Sequence, residues 1–179
     1  LNGSGPNLAQ VTLGTFTPTT SPITIKAWTS LPNSVVDTMR GNDTSTSIKN
    51  SALTGVYTIG GTGANYPNFS SAINALQNLG VCSHTTFLIR SGTYNESIVI
   101  PNIPTASINR TITFRSEANH VDSVVLTDSI PIPLTIAGSF FSFKGITINQ
   151  RSATANAINI NGNIQFDTFY NCKIIASSS

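Results

Sequence analysis

The seven Asp and Glu residues carry the side chains that could take the largest number of catalytic roles in this chain. Two carboxylates held close together can act as a nucleophile and a general acid or base. The sequence places its acids at Asp37, Asp43, Glu96, Glu117, Asp122, Asp128 and Asp167. Their spacing is irregular, so the structural elements that carry them decide whether any two of them meet.

The other reactive side chains give no recognisable site. His84 and His120 lack a second histidine at the spacing of a metal-binding pair, so we expect both to be loop residues, with no metal or cofactor. The glycine-rich "GGTG" (60–63) leads through a proline loop into a helix, so it is only weak evidence for a nucleotide site. Cys82 and Cys172 fit separate, mostly buried thiols better than a disulfide.

The composition of the chain argues against some classes of binding partner. Only 9% of the 179 residues are charged, against roughly a quarter in an average globular domain, and solubility rests on Ser, Thr and Asn. The net charge is +2 and the basic residues, such as Arg90 and Lys144, are scattered singly, which disfavours nucleic acid as a partner.

There is no run of 18 apolar residues, so no membrane span is predicted. The start at Leu1 suggests a mature or internal segment of a longer protein.

One helix is predicted, at residues 69–79. Asn68 can serve as its N-cap, and Gly80 occupies the position of a C′ glycine. The apolar residues that share one face at helical spacing are Phe69, Ala72, Ile73 and Leu76. A single small amphipathic helix must cover another element.

Residues 1–51 contain strand-like runs at 9–16, 23–29 and 44–49. In the second run Ile23 and Ile25 alternate with polar residues, the pattern of a half-buried strand. Three strands are too few for a sandwich, which needs roughly seven. We therefore predict that residues 1–51 are the C-terminal part of a β-sandwich.

From residue 86 onward the sequence changes to apolar runs of three or four residues separated by turn residues. The runs lie at 87–89, 98–100, 112–114, 124–126, 134–136, 140–143, 146–148, 158–160, 164–166 and 173–175. "LTI" (134–136) matches "INI" (158–160), and "FKGITI" (143–148) matches "FYNCKI" (169–174), which gives a coil of about 25 residues. We predict an all-β fold: a right-handed parallel β-helix with an N-terminal capping helix, preceded by the partial sandwich.

The stretch "RSGTYNESIVIP" (90–101) illustrates one corner of such a coil. Gly92 is expected to permit the corner, Ile98 and Ile100 to point into the bore, and Pro101 to end the strand. Glu96 is expected to hydrogen-bond turn amides rather than to act in catalysis.

Residues 52–179 resemble the capped N-terminal part and first coils of the pectin lyase-like β-helix family. The resemblance rests on "GTGANYPNFSSAINAL", the helix, and "GTYNESIVI", which also occurs in pectinesterase-like chains. "ITIKAWTSLPNSVVDTMRGNDT" resembles the end of an immunoglobulin-like or fibronectin-type module of bacterial surface proteins. "YTIGGTGANYPNFSSAINALQNLGVC" is similar to large secreted proteins of Bacteroidetes-type bacteria, which implies export by the type IX secretion machinery and attachment at the cell surface.

Enzymes of the resembled family act on polysaccharides, and the esterase branch needs two carboxylates stacked on adjacent coils. Asp122 and Asp128 have no second acid at a facing position one coil further on, and the region one coil before Asp167 has no acid, so we predict no catalytic residue. Tyr66 and Tyr170 are candidates for contact with a glycan, whereas Phe140, Phe141 and Phe169 fit stacking inside the coils or at their corners.

Three functions follow as hypotheses. The first is a non-catalytic adhesin or structural stalk that binds a polysaccharide or a cell-surface glycan. The second is a polysaccharide lyase or carbohydrate esterase whose active coils lie beyond residue 179. The third, a passive secretion cargo or fibre repeat without a ligand, has the least support.

Overall fold

The computed structural model describes residues 14, 22–28, 44–128, 132–152 and 155–176. The chain forms two compact units, Leu1–Ser51 and Ala52–Ser179. The assignment of the first unit to a sandwich of the immunoglobulin or fibronectin type stays a prediction.

The described part of the first unit is an antiparallel pair of strands. β1 (Ile23–Trp28) pairs with β2 (Thr44–Lys49). The predicted half-burial of β1 is wrong for the described residues: Ile25 is 42% exposed and Trp28 is 70% exposed. Alternating apolar and polar residues give β1 an apolar face, but that face is buried only where a second layer packs against it. Apart from Gly14, the run predicted at 9–16 lies outside the described residues, as do Asp37 and Asp43.

The second unit contains, in its described residues, twelve strands and one α-helix. They are β3 (Leu53–Ile59), α1 (Phe69–Leu79), β4 (Val81–Ile89), β5 (Gly92–Asn95), β6 (Ile98–Ile100), β7 (Ile112–Ser116), β8 (Val124–Asp128), β9 (Leu134–Ile136), β10 (Phe141–Lys144), β11 (Thr147–Gln150), β12 (Ile158–Ile160), β13 (Thr168–Tyr170) and β14 (Lys173–Ile175). A 3₁₀ turn at Val121–Ser123 precedes β8. None of the described helices has the length and apolar character that a membrane span requires.

The twelve strands form three parallel sheets, one for each face of the coil. The five-stranded sheet has the order β13-β10-β7-β4-β3, the four-stranded sheet β14-β11-β8-β5 and the three-stranded sheet β12-β9-β6. Within each sheet a strand pairs with the strands of the adjacent coils. The second unit is a right-handed parallel β-helix, as predicted.

The register confirms the period read from the sequence. Leu134 lies opposite Ile158, and Phe143 lies opposite Phe169. The run at 164–166 is not a strand, because the backbone of Phe166 has a φ of 59°. Phe140 has a φ of 70° and likewise precedes its strand. The two rings stack at a corner of successive coils with their centroids 5.3 Å apart.

The bore of the β-helix contains a column of aromatic rings along the five-stranded sheet. Adjacent rings pair in register and their centroids lie 4.9–5.7 Å apart. This aromatic column consists of Tyr57, Phe87, Phe114, Phe143 and Phe169. Parallel strands in register place the same side-chain position of each coil directly above the last, so identical residue types form a stack.

Helix α1 begins and ends where the sequence predicted. The Asn68 side chain accepts a hydrogen bond from the Ser71 amide, and the Ser71 hydroxyl completes a capping box. Gly80 adopts a φ of 66° and its amide donates to the Leu76 carbonyl. The predicted apolar face is buried: Phe69, Ala72, Ile73 and Leu76. The helix packs this face against the first coils.

The corner at residues 90–101 differs in one respect from the prediction. Gly92 does not form the corner, since it is the first residue of β5 and pairs with Val124. The chain turns at Arg90 and Ser91, before the glycine. Ile98 and Ile100 are buried as predicted, at 2% and 0% exposure.

Candidate functional site

The described acids of the β-helix hold structural contacts. Asp122 pairs with Lys173 at 3.2 Å and Glu117 lies 3.9 Å from Arg90. Asp128, which also has an interaction partner, lies opposite Gln150 in the register of the next coil. In the strand registers of the described residues no acid pairs with another acid. This arrangement gives no support for a nucleophile and an acid/base stacked on adjacent coils.

Glu96 binds the N-terminus of α1. Its carboxylate accepts hydrogen bonds from the amides of Phe69 (3.0 Å) and Ser70 (2.9 Å) and from the Ser70 hydroxyl (2.6 Å). An anion is favourable here because the first amides of a helix lack partners within it and carry partial positive charge. Glu96 was expected to hydrogen-bond turn amides, and the amides that it binds belong to the first turn of the capping helix.

Asp167 accepts a hydrogen bond from the Phe141 amide at 2.8 Å through Oδ1. Its Oδ2 is buried and has no hydrogen-bond partner among the residues that the structure describes. Burial raises the pKa of the Asp167 carboxyl, and the amides of Phe141 and Phe140 partly oppose this effect. Asp167 therefore links two successive coils, and its contacts are those of a structural residue.

The two histidines have hydrogen-bond contacts with neighbouring residues. His84 lies on β4, which corrects the expectation of a loop residue, and its Nδ1 is 2.8 Å from the Thr111 hydroxyl. His120 caps the 3₁₀ turn by accepting a hydrogen bond from the Asp122 amide. In the described ranges no three His, Cys, Asp or Glu residues form a group that could hold a metal ion. Cys82 and Cys172 are separate free thiols, but the expectation that they are mostly buried is wrong, since Cys82 is exposed and Cys172 is half-buried.

The outer face of the five-stranded sheet carries side chains that repeat from coil to coil. Alternate residues of each strand point away from the aromatic column and form two columns in register. One is a mostly hydroxyl-bearing column of Val56, Thr86, Thr113, Ser142 and Thr168; the other is a mixed column of Thr58, Leu88, Arg115, Lys144 and Tyr170. Between them lies a shallow depression, the outer groove, lined by Val56, Thr86, Leu88, Thr113, Arg115 and Lys144.

The two tyrosines predicted to contact a glycan lie in different environments. Tyr170 is 70% exposed at the end of the mixed column. Tyr66 is partly buried, with its ring 5.9 Å from Tyr57 and 5.8 Å from Phe87. Burial raises the pKa of Tyr66, and the neighbouring Tyr57 adds to this effect. The structure therefore brings Tyr170, but not Tyr66, onto the surface that carries the outer groove. Glycan contact by either residue stays a prediction.

Arg115 and Lys144 were not singled out together from the sequence, where the basic residues look scattered. The structure places them directly opposite each other on adjacent coils. A signal was present: Phe114 and Phe143 occupy the same position of successive coils, and each is followed by a basic residue. Aligning the coils before reading the charges would have found the pair.

Comparison with known proteins supports the fold. No family model matches the chain, and no curated protein matches it. Two solved structures of a pectin methylesterase from Aspergillus niger are similar. The penultimately deglycosylated form gives 21% identity and a TM-score of 0.51, and the deglycosylated form gives 20% and 0.52.

The likeness is one of fold. In both comparisons the match covers 70% of this chain and 46% of the pectin methylesterase chain, so the chain spans about half of the enzyme. At this level of identity it shows the parallel β-helix fold and does not transfer an activity.

Proposed function

We propose that the β-helix is a non-catalytic rod that binds polysaccharide along the outer face of its five-stranded sheet. The outer groove carries this proposal, because hydroxyl-bearing side chains there repeat at each coil beside an exposed aromatic ring. Threonine hydroxyls both donate and accept hydrogen bonds, as sugar hydroxyls require. Tyrosine adds an apolar ring face with a polar tip.

The repeat of the β-helix suits a polymeric ligand. Adjacent strands of a sheet lie roughly 4.8 Å apart, so equivalent side chains recur along the axis at a constant spacing. Thr168 donates to the Ser142 hydroxyl at 2.8 Å, which fixes the orientation of the hydroxyl-bearing column at its far end. A chain of sugars lying along the axis would meet the same types of group at successive coils.

The setting that we propose is a secreted multidomain protein attached to the cell surface, acting as an adhesin or stalk. The low charge content and the resemblance to secreted bacterial surface proteins support this setting. The type IX secretion machinery would then be its partner during export.

The alternative is a polysaccharide lyase or carbohydrate esterase whose active coils lie beyond residue 179. The similarity to pectin methylesterase favours it, since only 46% of that enzyme is matched. Under this alternative the described coils would support and extend a catalytic site formed elsewhere.

Affinity electrophoresis of the chain through gels that contain single polysaccharides tests the proposal. The panel should include neutral dextran and galactan, methyl-esterified polygalacturonate and its de-esterified form. We expect retardation by at least one polymer, and retardation by none would refute binding. Release of methanol from the esterified polymer by this chain would contradict the non-catalytic assignment.

Tyr170→Ala locates the binding surface. If Tyr170 stacks on a sugar, its loss should weaken binding by about fivefold, the equivalent of about 1 kcal/mol. The matched control is Val99→Ala, because Val99 is 55% exposed on the three-stranded sheet, on another face of the coil. Equal effects of the two changes would place the ligand elsewhere.

A further inference from the structure

A second depression lies between helix α1 and strand β6, and we call it the cap cleft. It has a volume of about 240 Å³. One wall is formed by residues of α1, among them Asn74 and Gln77, and the other by Ser97, Ile98 and Val99. The cap cleft borders the three-stranded sheet, so it is separate from the outer groove. None of the described residues that line it is charged, which suits a neutral ligand.

Strand β6 has a free edge at the cap cleft, because it is the last strand in the sheet order β12-β9-β6. The Ile98 amide donates to the Pro133 carbonyl at 2.9 Å, and the Ile100 carbonyl accepts from the Ala137 amide at 2.8 Å. Ile98 and Ile100 therefore direct their backbone groups toward β9. Successive residues of a strand direct these groups to opposite edges, so Val99 presents its N–H and C=O to the cap cleft. Neither group has a hydrogen-bond partner among the described residues.

The wall that faces this edge carries two carboxamides, those of Asn74 and Gln77. Both residues are exposed, and neither side chain makes a hydrogen bond to another described residue. A carboxamide both donates and accepts hydrogen bonds. Residues three positions apart on a helix are neighbours, roughly 5–6 Å apart, and the groups on one edge of an extended chain recur at roughly 6.6 Å. The two carboxamides therefore match the backbone of an extended chain.

The free groups of the cap cleft favour a peptide over a sugar. Val99 offers one donor and one acceptor on the same edge, which is the pair that a neighbouring strand uses. The hydroxyl groups, which would suit a sugar, are already donors in other contacts. The Ser70 hydroxyl donates to Glu96 at 2.6 Å, and the Ser97 hydroxyl donates to the Ile132 carbonyl at 2.7 Å.

We propose that the cap cleft binds a short, uncharged, extended segment of a partner polypeptide as an additional strand beside β6. The segment continues the parallel pairing that already joins β12, β9 and β6, and main-chain hydrogen bonds supply the affinity. One edge of the segment bonds to Val99, and its other edge bonds to Asn74 and Gln77. Side chains that point toward the bore must be small, because Ile73 and Ile98 are buried there. This inference does not depend on polysaccharide binding by the outer groove.

A short peptide in which threonine alternates with alanine, with blocked ends, is the probe. Threonine favours an extended chain, and alanine fits the space beside α1. Directly opposed residues of a sheet point to the same face, so a threonine lies opposite Val99 and the alanine backbone groups bond to it. In two-dimensional ¹H–¹⁵N NMR of the whole chain, the Val99 amide signal should move downfield as the peptide is added. N-methylation of the alanine amides should abolish binding, since it removes the donor to the Val99 carbonyl.

Variants of α1 test the helical wall. Asn74→Ala and Gln77→Ala should each weaken peptide binding by about fivefold, because each removes a hydrogen bond. Asn78→Ala is the matched control, since Asn78 is also exposed on α1 but does not line the cap cleft. The three side chains lie outside the buried face of the helix, so the variants should keep the circular dichroism spectrum and Tm of the parent chain.

Several results would overturn the proposal. The first is an unchanged Val99 signal at saturating solubility of the peptide. The second is equal binding of the N-methylated peptide, which would exclude backbone pairing. The third is a loss for Asn78→Ala as large as that for Asn74→Ala, which would place the peptide elsewhere. A shift of Val99 caused by neutral dextran oligosaccharides and not by the peptide would assign the cap cleft to sugars instead. Tyr170→Ala tests the outer groove independently of all these results.

Discussion

Glu96→Ala should destabilise the β-helix by detaching its capping helix from the first coil. The change removes three hydrogen bonds, to the amides of Phe69 and Ser70 and to the Ser70 hydroxyl. We take about 1 kcal/mol for each amide bond, because the site is partly exposed, and about 0.5 kcal/mol for the loss of a negative charge at a helix N-terminus. The expected loss in free energy of unfolding is therefore about 2–3 kcal/mol, or a Tm lower by roughly 6–10 °C.

Urea unfolding followed by circular dichroism measures this loss, with Glu96→Gln and Glu117→Ala as companions. The glutamine keeps one acceptor but no charge, so it should lose about half as much as the alanine variant. Glu117 is also an acid of the β-helix, but its side chain is 48% exposed and 3.9 Å from Arg90, so its removal should cost less than about 0.5 kcal/mol. A loss for Glu96→Ala no larger than that for Glu117→Ala would refute the proposed role of Glu96.

Three further predictions concern the interior and the thiols. Phe114→Ala removes a fully buried ring from the middle of the aromatic column and should cost about 3–5 kcal/mol in urea unfolding, whereas Phe114→Leu should cost clearly less. Because the pKa of Asp167 is raised in the folded state, its protonation stabilises the fold: this contribution is present below the unfolded-state pKa and disappears as pH rises through the folded-state pKa. Asp167→Asn should remove that part of the pH dependence of Tm, and an unchanged pH profile would contradict the burial of the carboxylate. Iodoacetamide should modify exposed Cys82 before Cys172, since burial raises the pKa of the Cys172 thiol and lowers its thiolate fraction; mass spectrometry of peptides gives the order, and the reverse order would contradict it.

The elements governed by local sequence were predicted well. Helix α1 was found with its N-cap because capping and helical spacing depend on residues within a few positions. The period of the coil was also readable, because each coil repeats the same inward positions and identical residue types return at that interval. The run at 164–166 and the corner at Gly92 were misjudged, since apolar content does not reveal the backbone conformation of Phe166 or the residue at which a chain turns.

The sequence by itself determined the capping helix, which follows from a local pattern, and the β-helix with its period, which follow from short apolar runs that recur at similar intervals along the chain. Only the tertiary structure decided which side chains meet across coils. It set Glu96 against the amides of a helix 26 and 27 residues earlier in the chain, and it brought Arg115 and Lys144 face to face. The lengths of the turns vary from coil to coil, so the register that creates these contacts is fixed by the packing of the bore and not by a constant spacing in the sequence.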